Sequence, residues 1–437
     1  MVSPRLARRT VGFVDEYCEA YRHLFADVRS YECFKYLHVG LMSELKRKSL
    51  PAIAKLVGLP DSQRLHHFVT SAQWSTQDLK NRRLHLIQAL VGKRRMVLII
   101  DETGDRKKGQ ATDYVAKQYI GNIGKTANGI VSVNAYGVID NITYPLLFKL
   151  FKPKSRLQVG DAYRTKIHLA VEIINTLQQW GFEFELVLAD SFYGESSAFI
   201  SVLQQFKWPF IVAIRSNHGV WLPPGQRVRY NRFRAFEQPL AHHAPEKRFI
   251  REIIFGKRRA RRYFQITKGT VANAQADSWY IMTDIPDDLL KLPLLYSLRN
   301  WIEYGFKQVK SELGWADFRV TDYVSIERWW ELILSVYLMI SLHTQHFGWQ
   351  ALPPPGAAPS EAIHFPFERH RHWQTEVNWK STLNNLRLII EPFVCYQCLK
   401  SWLDIFDIPG LHRGLYRLMN CMHQFRASPF ARAANVA

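Results

Sequence analysis

Residues 94–101 read RRMVLIID, in which Met96 to Ile100 form an unbroken apolar run that ends on Asp101. A run of this kind, without polar alternation, suits a strand buried on both faces. Two further runs come after it, Ile130 to Ile139 and Tyr144 to Phe151, joined around Asp140 and Asn141, which favour turns. Together the three predict a meander. A helical pattern from about Tyr163 to Trp180 then leads into FELVLAD, ending at Asp190. Gly194 to Phe206 reads as helix and PFIVAI, from Pro209, as strand. Three strands followed by alternating helix and strand predict a mixed α/β sheet.

That element order is the one expected of an RNase H-like fold. Upstream, Val11 to about Leu90 is helical throughout. Ser49 and Pro51 open a short helix to Val57, and Ser62 to Val69 begins another that carries Arg64, His66 and His67, a helix-turn-helix pattern. Ser75 and Asp78 cap the next helix, which carries Lys80, Arg82 and Arg83. Between Arg215 and Thr283 the pattern interrupts itself. Arg227, Arg229, Arg232 and Arg234, then KRFIREIIFGKRRARRYFQI with a hairpin expected at Gly256, alternate with Tyr230, Phe233, Phe236 and Tyr263. Charge interleaved with aromatics predicts a basic β insertion that tracks a phosphate backbone, with Arg258, Arg259, Arg261 and Arg262 as contacts.

Leu295 to Leu313, LYSLRNWIEYGFKQVKSEL, reads as one helix with two faces. Leu295, Leu298, Ile302, Phe306, Val309 and Leu313 form an apolar stripe, and Tyr296, Arg299, Glu303 and Lys310 cluster about a quarter turn away. Ile326 to His346 is apolar enough to be a core helix. ALPPPGAAPS, from Ala351, reads as a linker, Asn378 to Ile390 and Pro392 to Ile405 as two helices, and the remainder as a basic, less ordered tail. The expected organisation is a helical DNA-binding region at 1–95, a catalytic domain at 96–214 and 279–350, the β insertion at 215–278, and a linker with a helical C-terminal region at 351–437.

The chain has 437 residues, 47% hydrophobic, enough for large cores, and its formal net charge of +20 points to a polyanionic partner. ELILSVYLMISL, the longest apolar run, is shorter than the roughly 20 residues a membrane span needs, so no membrane role is expected. Five scattered cysteines fit a reducing cytoplasm. Cys395-x-x-Cys398, with Cys421 and His423 downstream, has zinc-like spacing, but its apolar flanks read as buried free thiols in a helix.

Asp101 and Asp190 each come directly after an apolar run, where a rigid strand end delivers a side chain to a crevice. With Glu303, on a helix that must pack on the same sheet, they make three hard oxygen donors suited to Mg²⁺, with Mn²⁺ able to substitute. Two such ions about 4 Å apart can activate the attacking oxygen and stabilise the leaving one. Strand alternation is expected to turn Glu102 away, and Asp105 is read as lying in a basic loop.

Tyr296, Arg299, Glu303 and Lys310, separated by two, three and six residues, resemble the Tyr-Arg-Glu-Lys signature of bacterial insertion-sequence transposases of the DDE type. DETG at Asp101, YIGNIGKTANGIVSVNAYG from Tyr119 and LADSFYG around Asp190 are similar to the corresponding blocks of that group. RLHHFVTSAQWS, from Arg64, resembles the N-terminal region of the insertion-sequence family numbered seven hundred and one. The resemblance implies Asp101, Asp190 and Glu303 as the catalytic, metal-binding triad, and Tyr296, Arg299 and Lys310 as residues that grip phosphates of the transposon end. It also implies Trp279 as a residue that stacks on a flipped base. The activity implied by the resemblance is that of a cut-and-paste transposase acting on double-stranded DNA, as a homodimer, in the bacterial cytoplasm at the nucleoid. The rival expectations are a DNA-binding descendant without catalysis and a stand-alone RNase H-like nuclease.

Overall fold

In the computed structural model the described residues are 5–425, apart from 221, 223, 241–242, 256–260, 269–276, 287, 351–365 and 407. The Gly256 hairpin, the 351–360 linker, Arg258 and Arg259 lie outside them. Five helices lead: α1 (Gly12–Glu19), α2 (Val28–Met42), α3 (Leu50–Leu56), α4 (Gln63–Thr70) and α5 (Thr76–Val91). Then come β1 (Met96–Arg106), β2 (Ala116–Ile120), β3 (Lys125–Ile139), β4 (Ile142–Leu150), α6 (Lys166–Gln179), β5 (Phe184–Ala189), α7 (Ser191–Gly194), α8 (Ser197–Gln205) and β6 (Phe210–Ile214). The insertion supplies β7 (Val228–Tyr230), β8 (Arg234–Leu240), β9 (His243–Phe255), β10 (Arg262–Thr267) and β11 (Ser278–Thr283). Last are α9 (Lys291–Ser297), α10 (Asn300–Lys307), α11 (Tyr323–Gln350), α12 (Trp379–Leu403) and α13 (Pro409–Met422).

One mixed sheet runs β2-β3-β1-β5-β6-β11-β10-β9-β7, with β4 on β3 and β8 on β9. β1, β5 and β6 are parallel and the other pairs antiparallel. The β4-β3-β1-β5-β6 portion is consistent with an RNase H-like core. Asp140 and Asn141 make the β3–β4 turn with φ of 53° and 59°, the left-handed pair a tight hairpin needs.

Register sorts the two faces of this core. Asp101, Asn134 and Phe148 are aligned across β1, β3 and β4, and Phe148 packs edge-on to Trp315 and to Trp330 of α11. The next row, Glu102, Val133 and Lys149, faces the other way, where Lys149 pairs with Glu172 of α6. α6 therefore covers one face, and α10 and α11 the other.

α11 is buried along almost its whole described length, because α2, α4, α5, α12 and β4 all pack on it. Several of its polar residues are paired inside: Glu331 with Arg83, Ser335 with Tyr17 and His38, Ser341 with the Thr143 carbonyl. No described helix is long and apolar enough to cross a membrane.

Several elements differ from expectation. β1 continues past Asp101 to Arg106, because β3 supplies ladder partners as far as Gly129. The Leu295–Leu313 helix divides: Arg299, Trp301 and Ile302 each donate three residues back, tightening the chain between α9 and α10, and Gln308–Glu312 loosens into a π turn. Its apolar stripe nonetheless packs inward, with Ile302, Val309 and Leu313 buried. α12 runs as a single helix through Pro392, capped by Asn378, and part of the expected tail forms α13. Cys395 and Cys398 lie on α12, but exposed rather than buried.

Candidate active site

The parallel pairing of β1 and β5 ends at Ile100 and Ala189, so Asp101 and Asp190 each follow directly on the last paired residue of neighbouring strands. Beyond that point β1 stays straight on β3 while the chain after β5 turns into α7. The divergence opens the crevice. Asp190 caps α7, and its Oδ1 accepts from the backbone of Phe192 at 2.9 Å and Tyr193 at 3.4 Å. Both bonds fall on one oxygen.

α10 crosses over β1 and β3 on the Asp101 face. Its approach is set by Gly305, where a Cβ would lie 2.9 Å from the Tyr136 ring. The tight α9–α10 junction aims Arg299 into the crevice, where it donates to Asp101 Oδ2 at 2.7 Å and to Glu303 Oε1 at 3.0 Å. Asp101 Oδ1 accepts from the Glu102 backbone at 2.8 Å. Tyr296 lies beside this group, near enough for the Arg299 charge to act on its phenol.

Burial pushes the Asp101 carboxyl up to about 7, with Arg299 pulling against it and Asp190 adding to it. Burial raises Asp190 as well, followed by the charge of Glu102. Burial also drives the Tyr296 phenol up to about 12. The crevice is thus a desolvated concentration of negative charge that would welcome a cation. Among the described residues, no three His, Cys, Asp or Glu side chains are drawn together closely enough to hold a metal ion. The donor set nevertheless fits a hard divalent cation in kind, since all three candidates are carboxylates and the Glu303 side chain is 59% exposed, held only by Arg299 among the described residues.

Glu102 faces away from Asp101, as alternation requires, and joins Lys166 at 2.9 Å and the Tyr193 hydroxyl at 2.9 Å. Asp105 is not in a loop. It is a buried residue of β1 on the Asp101 face, and it pairs with Lys310 at 3.0 Å while the Gly104 carbonyl accepts from the same ammonium at 2.7 Å. Sequence reading missed this anchor because it tracked apolar continuity and stopped at Asp101. The period-two series Asp101, Thr103, Asp105 was the available signal.

Elsewhere the predicted contacts are less open than expected. Trp279, the second residue of β11, lies at the same sheet end as Asp190, two strands over, but the Arg248 guanidinium lies 5.1 Å from its ring centroid. Arg261 donates to Gln204 of α8 at 2.8 Å, and Arg262 pairs with Glu252 at 3.1 Å. In the N-terminal helices Arg64 pairs with buried Glu32, Lys80 with Glu327 and Arg82 with the Ala20 carbonyl. The exposed part of the insertion includes Tyr230, which with Phe233 flanks the Arg251 guanidinium at 4.4 Å on each side.

Residues 23–263 match the family described as DDE superfamily endonuclease. This span includes Asp101 and Asp190 and ends before Glu303. The chain belongs to that superfamily, whose enzymes use divalent metal ions. It is also 54% identical over 329 residues, 75% of this chain and 87% of the other, to a Microchaete diplosiphon protein described as a probable transposase for insertion sequence element IS701. Within the superfamily it is accordingly an insertion-sequence transposase similar to IS701.

Proposed function

We propose that this chain binds the terminal inverted repeats of its own element, cuts DNA there and joins the released 3′ ends to target DNA, by a cut-and-paste route that can pass through a hairpin. The observation that carries the reading is the meeting of β1, β5 and α10 at one crevice, with Asp101 and Asp190 beside each other and Glu303 tied to Asp101 through Arg299.

Asp101, Asp190 and Glu303 would hold Mg²⁺, or Mn²⁺ in its place. A bound ion of this kind supplies Lewis-acid stabilisation and a nucleophile available at neutral pH. The chain's own contribution is placement. β1 and β5 fix two carboxylates rigidly, and α10 brings the third on a side chain that can adjust. Tyr296, Arg299 and Lys310 would grip phosphates near the scissile bond, Lys310 from its anchor on Asp105. Charge on Arg299 and Lys310 would offset charge developing on the transferred group. The Arg251 stack and the exposed Tyr230 would track the DNA flank together with Arg258, Arg259, Arg261 and Arg262, and Trp279 would take a flipped base once Arg248 moves aside. Two ends must be joined, so we assign a homodimer on DNA, working at the bacterial nucleoid. The 1–95 helices, the 215–278 insertion and the 351–437 region would serve end recognition and assembly around the catalytic unit.

The test is incubation of the full chain with labelled duplex carrying the element's terminal repeats, with Mg²⁺, Mn²⁺ or Ca²⁺. Cleavage at the repeat boundary that depends on Asp101, Asp190 and Glu303 is expected. Binding without cleavage would favour a non-catalytic descendant, and cutting without regard to end sequence a general nuclease.

A further inference from the structure

Asp101 has two carboxylate oxygens, and both are in use: Oδ1 accepts from the Glu102 backbone and Oδ2 from Arg299. The same guanidinium holds Glu303 Oε1. A cation ligated by Asp101 Oδ2 and Glu303 Oε1 would have to compete with Arg299, which occupies both with a full positive charge of its own. Like charges cannot share such a site in a crevice this poor in water. Lys310 is different. It is a cation on the same face, but it rests on Asp105 and the Gly104 carbonyl and touches none of the three candidate ligands.

We propose that Arg299 is a resident counter-ion that the divalent metal displaces, so that metal loading frees its guanidinium for the phosphate of the DNA end. The proposal rests on the assignment of Asp101 and Glu303 as metal ligands. Tyr296, beside Arg299, leaves the released group a polar neighbour at the crevice. The consequence is a coupling between two binding events at one side chain. The protein with its carboxylates paired to Arg299 grips DNA poorly, and the loaded protein has an arginine to spare.

Mn²⁺ binding to the full chain, read by electron paramagnetic resonance of the free ion, tests this without any turnover. Arg299→Gln is expected to bind Mn²⁺ at least tenfold more tightly than wild type, since even one of the two charge-assisted hydrogen bonds that the metal must otherwise break is worth about that factor. Lys310→Gln removes the same charge from the same face and is expected to change affinity less than about threefold, as a general field effect would. In a second measurement, Ca²⁺ is expected to raise affinity for repeat-end duplex in wild type and to leave Arg299→Gln unmoved. Equal or weaker Mn²⁺ binding by Arg299→Gln, or an equal gain in Lys310→Gln, would overturn the displacement while leaving the metal site intact. Unchanged Mn²⁺ binding in Glu303→Gln would remove the metal-site reading and the proposal with it. Circular dichroism of each variant confirms that the fold is retained.

Discussion

Two arginines tie helices of this chain to its central sheet and to a glutamate, on opposite terms. Arg83, on α5, is fully buried, pairs with the fully buried Glu331 of α11, and donates to the carbonyls of Pro145 and Leu146 on β4. Arg299, at the start of α10, makes the same kind of bonds to Asp101 and Glu303, but Glu303 is more than half exposed. The difference lies in what could replace each arginine. No ion or phosphate can reach Arg83 without unfolding the hub around α11, so its pairing fixes position. Arg299 pairs with a Glu303 that stands largely in solvent, and on the proposal above its pairing is exchanged for an ion and a phosphate. Burial, not the chemistry of the pair, separates a structural contact from a functional one.

The largest effect expected is on the exchangeable side. On the proposed function, Glu303→Gln should lower end cleavage roughly ten-thousandfold, since it removes a proposed ligand to the metal that would stabilise the leaving oxygen. Urea unfolding should change little, because the side chain is mostly in solvent. Retained cleavage, or a collapse in stability, would reverse the comparison. On the sealed side, Arg83→Met should cost about 3–5 kcal/mol of folding stability by leaving Glu331 buried and unpaired. The double variant Arg83→Met, Glu331→Leu should recover most of it. A mild single-variant loss by calorimetry would show that water reaches this pair.

Next in size, the hub should be acid-sensitive through His38. Burial lowers its imidazole from 6.5 to about 4, and it sits between the Phe34 carbonyl and Ser335. The unfolded chain takes up this proton first as pH falls, so stability is fully present above about 6.5 and is lost on the way down to about 4. The loss from this group is at most about 3 kcal/mol. His38→Gln should flatten that part of the stability–pH curve, and an unchanged slope would mean that His38 is not kept neutral. Smallest is Gly305→Ala, which pushes α10 off Tyr136 and should cost about 1–3 kcal/mol. It should lower cleavage more than DNA binding, since Glu303 rides on the same helix. Equal losses in the two would place the effect elsewhere.

Much of this was legible from residues alone. The apolar runs before Asp101 and Asp190 located β1 and β5, and the stripe from Leu295 to Leu313 identified the face that packs on the sheet. What escaped lay mostly where a polar residue or a proline falls within an element, although β4 was expected despite Pro145. β1 runs on through Thr103 and Asp105 because β3 supplies the ladder, a partner that local periodicity does not contain. β2, with its alternating exposed lysine and tyrosine, and α12, with Pro392 inside, were obscured in the same way.

By itself the sequence picked out the side chains proposed to carry the chemistry, since apolar continuity, helical period and the spacing of Tyr296, Arg299, Glu303 and Lys310 are local properties. Only the tertiary structure decided their pairings. Arg299 meets Asp101 across 198 positions of chain and Lys310 meets the Gly104 carbonyl across 206. Such contacts depend on how α10 crosses β1, which is set by the packing of Gly305 against Tyr136 and leaves no periodic trace in the residues that finally touch.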